Sequence, residues 1–201
     1  YQIIEEQRKT YMIETKKQLK AMLKQEKAFY VPESSIIRRL KNSLLAGPDI
    51  MRWKYVSTLR KLEYYYSNRN KNPWFGLMNM VTARKFHRFG FKLGIEMAPG
   101  VFAEGLQVYH TQGIVINGDA KVGKNCILHG ANVIGNMGND LKAPVIGNNV
   151  RLGAGAKVLG DVYIADGVQI GAGAVVLKSC YEEDVLLVGV PAHIHEKSEK
   201  A

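Results

Sequence analysis

From Ile116 to Val176 the chain places an apolar residue at almost every sixth position. The series reads Ile116, Val122, Leu128, Ile134, Asp140, Ile146, Leu152, Val158, Ile164, Ile170 and Val176, with Asp140 its one polar member. A period of 3.6 marks a helix and a period of two an ordinary strand; a fixed period of six is neither. It predicts a β-solenoid of very short strands. Each aliphatic points inward, and three hexapeptides close one triangular coil that stacks about 4.8 Å from the next. Glycine follows the aliphatic at Gly123, Gly135, Gly147, Gly153 and Gly171, where backbone angles closed to other residues are expected. Four positions after the aliphatic stand small or β-branched residues: Ala120, Cys126, Val150, Ala156, Val162, Val168 and Ala174. Residues 135–145 are polar and turn-rich and contain Asp140. A carboxylate is costly in an apolar interior, so this segment is read as a loop that leaves the solenoid and rejoins it at Ile146.

The pattern before residue 90 is helical. Residues 1–30 lack Pro and Gly and predict a helix of about 25 residues. Its apolar stripe (Ile4, Tyr11, Leu19, Met22, Leu23) is thin, which suits contact with another helix, including one from another subunit. A second helix starts at Glu33-Ser34-Ser35 and ends before Gly47-Pro48. A third starts at Asp49 and buries Ile50, Trp53, Val56, Leu59, Leu62 and Tyr66. Polar Ser67–Asn72 links it to a fourth, which opens at Pro73, carries Trp74, Leu77, Val81 and Phe86 as core, and ends near Gly90. Beyond Phe91 the period of six appears, with phase slips between Ile95/Val101, Val108/Ile114 and Ile116. The expected organisation is a helical domain at 1–90 and a solenoid domain at 91–201, with the loop 135–145 and a polar C-terminal tail.

Charge divides at the same boundary. Of the net charge of +10, residues 1–90 carry 19 Lys/Arg against 7 Asp/Glu and residues 91–201 carry 9 against 11. The basic half suits a phosphate, a nucleotide sugar or an anionic membrane surface. No helix-turn-helix, zinc or RNA-binding signature accompanies it, so nucleic acid is not expected as a partner. There is no run of eighteen apolar residues and no signal-peptide core, and the two cysteines, Cys126 and Cys180, lie far apart. These features predict a cytoplasmic protein with reduced thiols.

Five histidines are present. His87 sits in a basic helix, His193 and His195 in the tail, and His129 beside the inward Leu128. His110 lies where the repeat loses register, and irregular coils are where a solenoid can aim side chains at a ligand. His110 is therefore the catalytic candidate. A metal site shared between subunits would need about three histidines, and only His110 and His129 lie in the solenoid body.

The segment Tyr109-His110-Thr-Gln-Gly-Ile-Val-Ile-Asn117, with Gly153–Gly160, Ile170–Ala174 and Gly189-Val-Pro-Ala192, resembles the serine acetyltransferase family of hexapeptide-repeat acyltransferases. The resemblance covers about residues 74–195. It implies a left-handed parallel β-helix after the helical domain, a homotrimer or two trimers joined through that domain, and acetyl-CoA as cosubstrate without a metal. It places the catalytic base at His110 and its orienting carboxylate at Glu96, Glu standing for the family's Asp. Backbone amides of Gly153, Ala154, Gly171 and Ala172 are implied to bind the cosubstrate or a developing oxyanion, and Lys178 to meet a CoA phosphate. Three acceptor positions depart from the family. Tyr109 stands for an Asp, and Lys142-Ala143 for Arg-His. Tyrosine offers no charge to an ammonium, and lysine lacks the planar fork of arginine. On these departures the expected reaction is O-acetylation of a sugar hydroxyl in bacterial surface polysaccharide synthesis, with Tyr109 and Lys142 binding the saccharide. The alternatives are serine O-acetylation for cysteine synthesis and a non-catalytic or metal-binding trimer.

Overall fold

The computed structural model of the chain describes residues 10–31, 47–138 and 142–195. The first helix, α1 (Lys16–Tyr30), begins at a capping box. The Thr15 hydroxyl accepts from the Gln18 amide, and the Gln18 side chain accepts from the Thr15 amide. This reciprocal pair satisfies two donors that no preceding turn can use and sets the helix start there. Residues 10–15 are not helical, which corrects the single helix expected over 1–30. The helix expected from Glu33 lies outside the described residues.

Two longer helices follow, α2 (Pro48–Asn68) and α3 (Pro73–Leu93), each with proline in its first turn. The Asn72 side chain caps α3 by accepting from the Phe75 amide. The pattern placed the end of this helix near Gly90; it runs on to Leu93 and stops at Gly94, whose φ of 65° makes it a left-handed C-cap. Gly90 is inside the helix for packing reasons: a Cβ there would stand 2.6 Å from the Ile95 carbonyl oxygen. The core expected on α3 is also corrected. Phe86 is buried, but Trp74, Leu77 and Val81 are exposed. No helix among the described residues is long and apolar enough to cross a membrane.

The solenoid is built of three sheets. The first comprises β1 (Ile95–Glu96), β3 (Ile114–Ile116), β6 (Val133–Gly135), β9 (Lys157–Leu159) and β12 (Val175–Val176); the second β4 (Lys121–Val122), β7 (Val145–Ile146) and β10 (Tyr163–Ile164). The third comprises β2 (Gln107–Val108), β5 (Ile127–Leu128), β8 (Arg151–Leu152), β11 (Gln169–Ile170), β13 (Leu186–Gly189) and β14 (Ala192–Ile194). Every pairing is parallel except the closing hairpin of β13 with β14. All ten aliphatic hexad positions are buried. Val115 pairs with Val133 and Lys157 with Val175, eighteen residues apart, which is three hexapeptides per coil. Across the loop the spacing becomes twenty-four: Ile127 pairs with Arg151 and Lys121 with Val145. The loop is thus one hexapeptide that has left the wall. Asp140 itself lies outside the described residues.

The glycines that follow the aliphatics serve a different purpose from the one expected. None of Gly123, Gly135, Gly147, Gly153 and Gly171 has positive φ. Most are packing contacts between coils. A Cβ on Gly123 would stand 2.6 Å from the Gly147 carbonyl oxygen, and one on Gly153 would stand 2.6 Å from the Ala172 amide nitrogen. Both cysteines are free and buried, and burial pushes the Cys126 thiol up to about 12.

The helices share one core with the first coil: Tyr55, Leu59, Leu62 and Phe86 join Met97, Val101, Phe102 and Leu106. Through this core runs an ionic cluster. Arg60 on α2, fully buried, pairs with Glu26 of α1 at 2.8 Å and with Glu63 at 3.1 Å. It also donates to the carbonyls of Phe102 and Ala103. The two carboxylates accept from the amides of Gly100, Gly105 and Leu106. A coil end exposes unpaired backbone groups, and the helices supply the side chains that satisfy them.

Candidate active site

The corner between β2 and β3 is longer than the one above it. The inward residues Val108 and Ile116 are eight apart, whereas their partners Leu128 and Ile134 are six apart. The two additional residues fall in Tyr109–Gly113, which turns through positive φ at Gln112 (76°) and Gly113 (70°). His110 projects from this corner and is exposed. Below it in the next coil lies Gly130, at φ 113°, where a Cβ would approach the His110 Cβ to 2.9 Å. Only glycine leaves His110 its place.

Several contacts hold the corner from the helical side. The Gln112 amide donates to the Leu93 carbonyl at 2.8 Å and the Ile114 amide to the Gly94 carbonyl at 3.1 Å. Arg52 of α2 donates to the Tyr109 carbonyl and pairs with Asp49. The Tyr30 hydroxyl accepts from the Val108 amide at 2.8 Å and donates to the Leu106 carbonyl at 3.1 Å. The Tyr109 ring stacks on His129 with centroids 4.9 Å apart. His129 is held below the usual histidine range, first by burial and then by the positive charges of Arg151 and His110.

The remaining sequence candidates are dispersed. Glu96 faces outward from β1, level with Val115, and no hydrogen bond joins it to His110 within the chain. It lines a cleft of about 580 Å³ with Tyr55, His87 and Phe91. Lys142 is paired with Asp161 at 2.6 Å, in the second-sheet region. The amides of Gly153 and Gly171 donate to the carbonyls of Ile170 and Leu187, so they are already used in the ladder. Ala154 and Ala172 are exposed residues of the turns that follow. Lys178 is exposed beyond β12. Sequence reasoning missed Arg52, Tyr30, His129 and Arg151. The last two had a signal available: the register itself puts them beside the Tyr109–His110 column. A larger cleft of about 620 Å³ along α3 is lined by Arg84, Lys85, Arg88 and Lys92 and contains no acid or histidine.

Comparison with known proteins bears out the resemblance. The family model "Bacterial transferase hexapeptide (six repeats)" matches residues 143–178. A serine acetyltransferase of Synechococcus elongatus is 38% identical over 76 residues, 36% of this chain and 31% of that protein. One of Staphylococcus aureus is 33% identical over 113 residues, 54% of this chain and 53% of that protein. The matched segment thus spans about a third to a half of these relatives. Among solved structures, Neisseria gonorrhoeae serine acetyltransferase superposes with a TM-score of 0.67 at 23% identity, covering 93% of this chain and 70% of that one. A serine acetyltransferase complexed with CoA gives 0.65 at 18% identity, covering 90% and 71%. These likenesses establish the fold, a helical region followed by a parallel hexapeptide solenoid. They also overturn the expected saccharide acceptor, because the relatives are serine acetyltransferases. Within the chain Lys142 is paired with Asp161 and the Tyr109 ring stacks on His129, though both side chains stay exposed.

Proposed function

We propose that this chain is an acetyl-CoA-dependent O-acetyltransferase that acts on the hydroxyl of L-serine. The observation that carries the reading is His110. It stands exposed on a lengthened corner that the helical region braces, above a glycine that makes room for it. The likeness to serine acetyltransferases, one of them solved with CoA, supports serine as the acceptor and acetyl-CoA as the donor.

An alcohol is too weak an acid to attack a thioester unaided near neutral pH. In the proposed reaction His110 removes the serine hydroxyl proton as the oxygen adds to the acetyl carbonyl. The tetrahedral adduct collapses by breaking the C–S bond, and the proton passes from His110 to the departing CoA sulfur. The products are O-acetylserine and CoA. The turn amides of Ala154 and Ala172 suit the pantetheine arm or the oxyanion, and Lys178 suits a CoA phosphate. We further take the solenoid to be left-handed and the active assembly to be a homotrimer with the donor bound between neighbouring chains.

The test is thiol release from acetyl-CoA in the presence of L-serine. Wild-type protein should release CoA in step with O-acetylserine. His110→Ala should lower kcat by roughly 10²–10⁴-fold while folding and assembly survive, the range expected for loss of a general base. Undiminished turnover in that variant refutes the role of His110, and wild-type protein inert toward serine refutes the acceptor.

A further inference from the structure

The serine reading leaves a gap. The family's Arg-His pair is absent at Lys142-Ala143, and Lys142 is already bound to Asp161. An amino-acid acceptor brings a carboxylate, and a carboxylate near a catalytic base needs a cation.

The third sheet holds one. In its register Arg151 stands level with Ile127 and Gln169, so neither neighbour along the column is acidic. Arg151 is exposed, and among the described residues its guanidinium makes no hydrogen bond or ion pair. Two positions beyond Ile127 lies His129, stacked on Tyr109. The position level with His129 in the following coil is Gly153, and the one after that is Gly171. The column therefore passes from two aromatic rings to two glycines packed against the next coil. Arg151 stands beside His129 in this register, and His129 adjoins His110 through Gly130. The electrostatic influence of Arg151 and His110 on His129 agrees with that closeness.

We infer that Arg151 and His129 form the binding site for the acceptor carboxylate, resting on the serine reading proposed above. The guanidinium offers a planar two-donor fork that matches a carboxylate, and the imidazole edge adds a third donor or orients the group. The site replaces, on different coils, the Arg-His pair that this sequence lacks.

The experiment uses full-length protein with acetyl-CoA and compares L-serine with L-serinamide, which has no carboxylate. Arg151→Gln should raise KM for L-serine at least about tenfold, as loss of a charge-assisted bond implies, with KM for acetyl-CoA unchanged. Arg151→Lys should recover part of the loss, and turnover of serinamide should be indifferent to both substitutions. An unchanged KM for serine, an equal loss with serinamide, or a loss in KM for acetyl-CoA overturns the inference; the last would assign Arg151 to the CoA phosphates. A second measurement separates this inference from the reaction it rests on. Titrating L-serine should shift the His129 side-chain NMR signals in wild-type protein and not in Arg151→Gln. That shift without turnover keeps the carboxylate site and sinks the acetyltransferase reading. Turnover indifferent to Arg151 does the reverse.

Discussion

Arg52 donates a hydrogen bond to the carbonyl oxygen of Tyr109, the residue before His110, across 57 positions of sequence. Tyr30 holds the same strand one residue earlier, through the Val108 amide. The helical region is therefore a brace for the corner that carries His110 as well as a cap on the solenoid. An arginine suits the task because its fork can hold Asp49 and the carbonyl at once.

Replacing Arg52 should consequently damage turnover more than binding. A small misplacement of a catalytic group costs up to about 10²-fold in rate, so Arg52→Ala should lower kcat by about 10–100-fold. KM for acetyl-CoA should stay within about twofold, since no proposed donor contact is lost. Arg52→Lys keeps a donor without the fork and should fall between. Steady-state kinetics at matched thermal stability decide the matter. A uniform rise in KM with normal kcat would show that the contact is not positional.

Gly130 offers an independent handle on the same corner. Its φ of 113° and the 2.9 Å approach to the His110 Cβ both oppose a side chain. Gly173 has φ 70° and open space, so Gly173→Ala measures the conformational cost alone. Gly130→Ala should lose roughly 1–3 kcal/mol and exceed the loss at Gly173. It should also lower kcat by displacing His110, whereas Gly173→Ala should not. Equal losses of stability in denaturant titrations, with equal kcat, would mean that the corner yields freely.

Much of the solenoid was legible because a six-residue period has few other physical causes. The buried hexads and the extruded loop followed from it, and so did the broken register at His110. What stayed hidden were contacts that join distant segments. Glu26, Arg60 and Glu63 read as ordinary charged helix residues, yet all three are fully buried. Nothing in their spacing reveals that a solenoid end will present amides and carbonyls to them. The intercoil glycines were misread for a similar reason: the pattern gave their period, but only the stacked coils reveal that they are close contacts. The saccharide acceptor was inferred from three departures taken as one pocket, Tyr109, Lys142 and Ala143, and the chain alone does not show what the first two touch. Their partners, His129 and Asp161, lie on other coils.

The buried cluster yields the last prediction. Arg60 neutralises two carboxylates that have no access to water, and burial raises Glu63 while Arg60 opposes that rise. Arg60→Met removes the opposition and leaves both carboxylates buried, which should cost about 3–5 kcal/mol in denaturant titrations near neutral pH. The sign of the pH dependence follows from linkage. A carboxyl whose pKa is raised in the folded state binds more protons folded than unfolded, so stability falls as pH rises from the unfolded toward the folded value. The deficit of Arg60→Met should thus be larger at pH 8 than at pH 5, where the freed carboxylates can protonate. Adding Glu26→Gln and Glu63→Gln removes the charge and keeps acceptors for the Gly100, Gly105 and Leu106 amides. This triple variant should regain part of the loss and lose the pH dependence. A deficit of equal size at both pH values, unchanged in the triple variant, would show that Arg60 stabilises the junction through its carbonyl contacts with Phe102 and Ala103 alone.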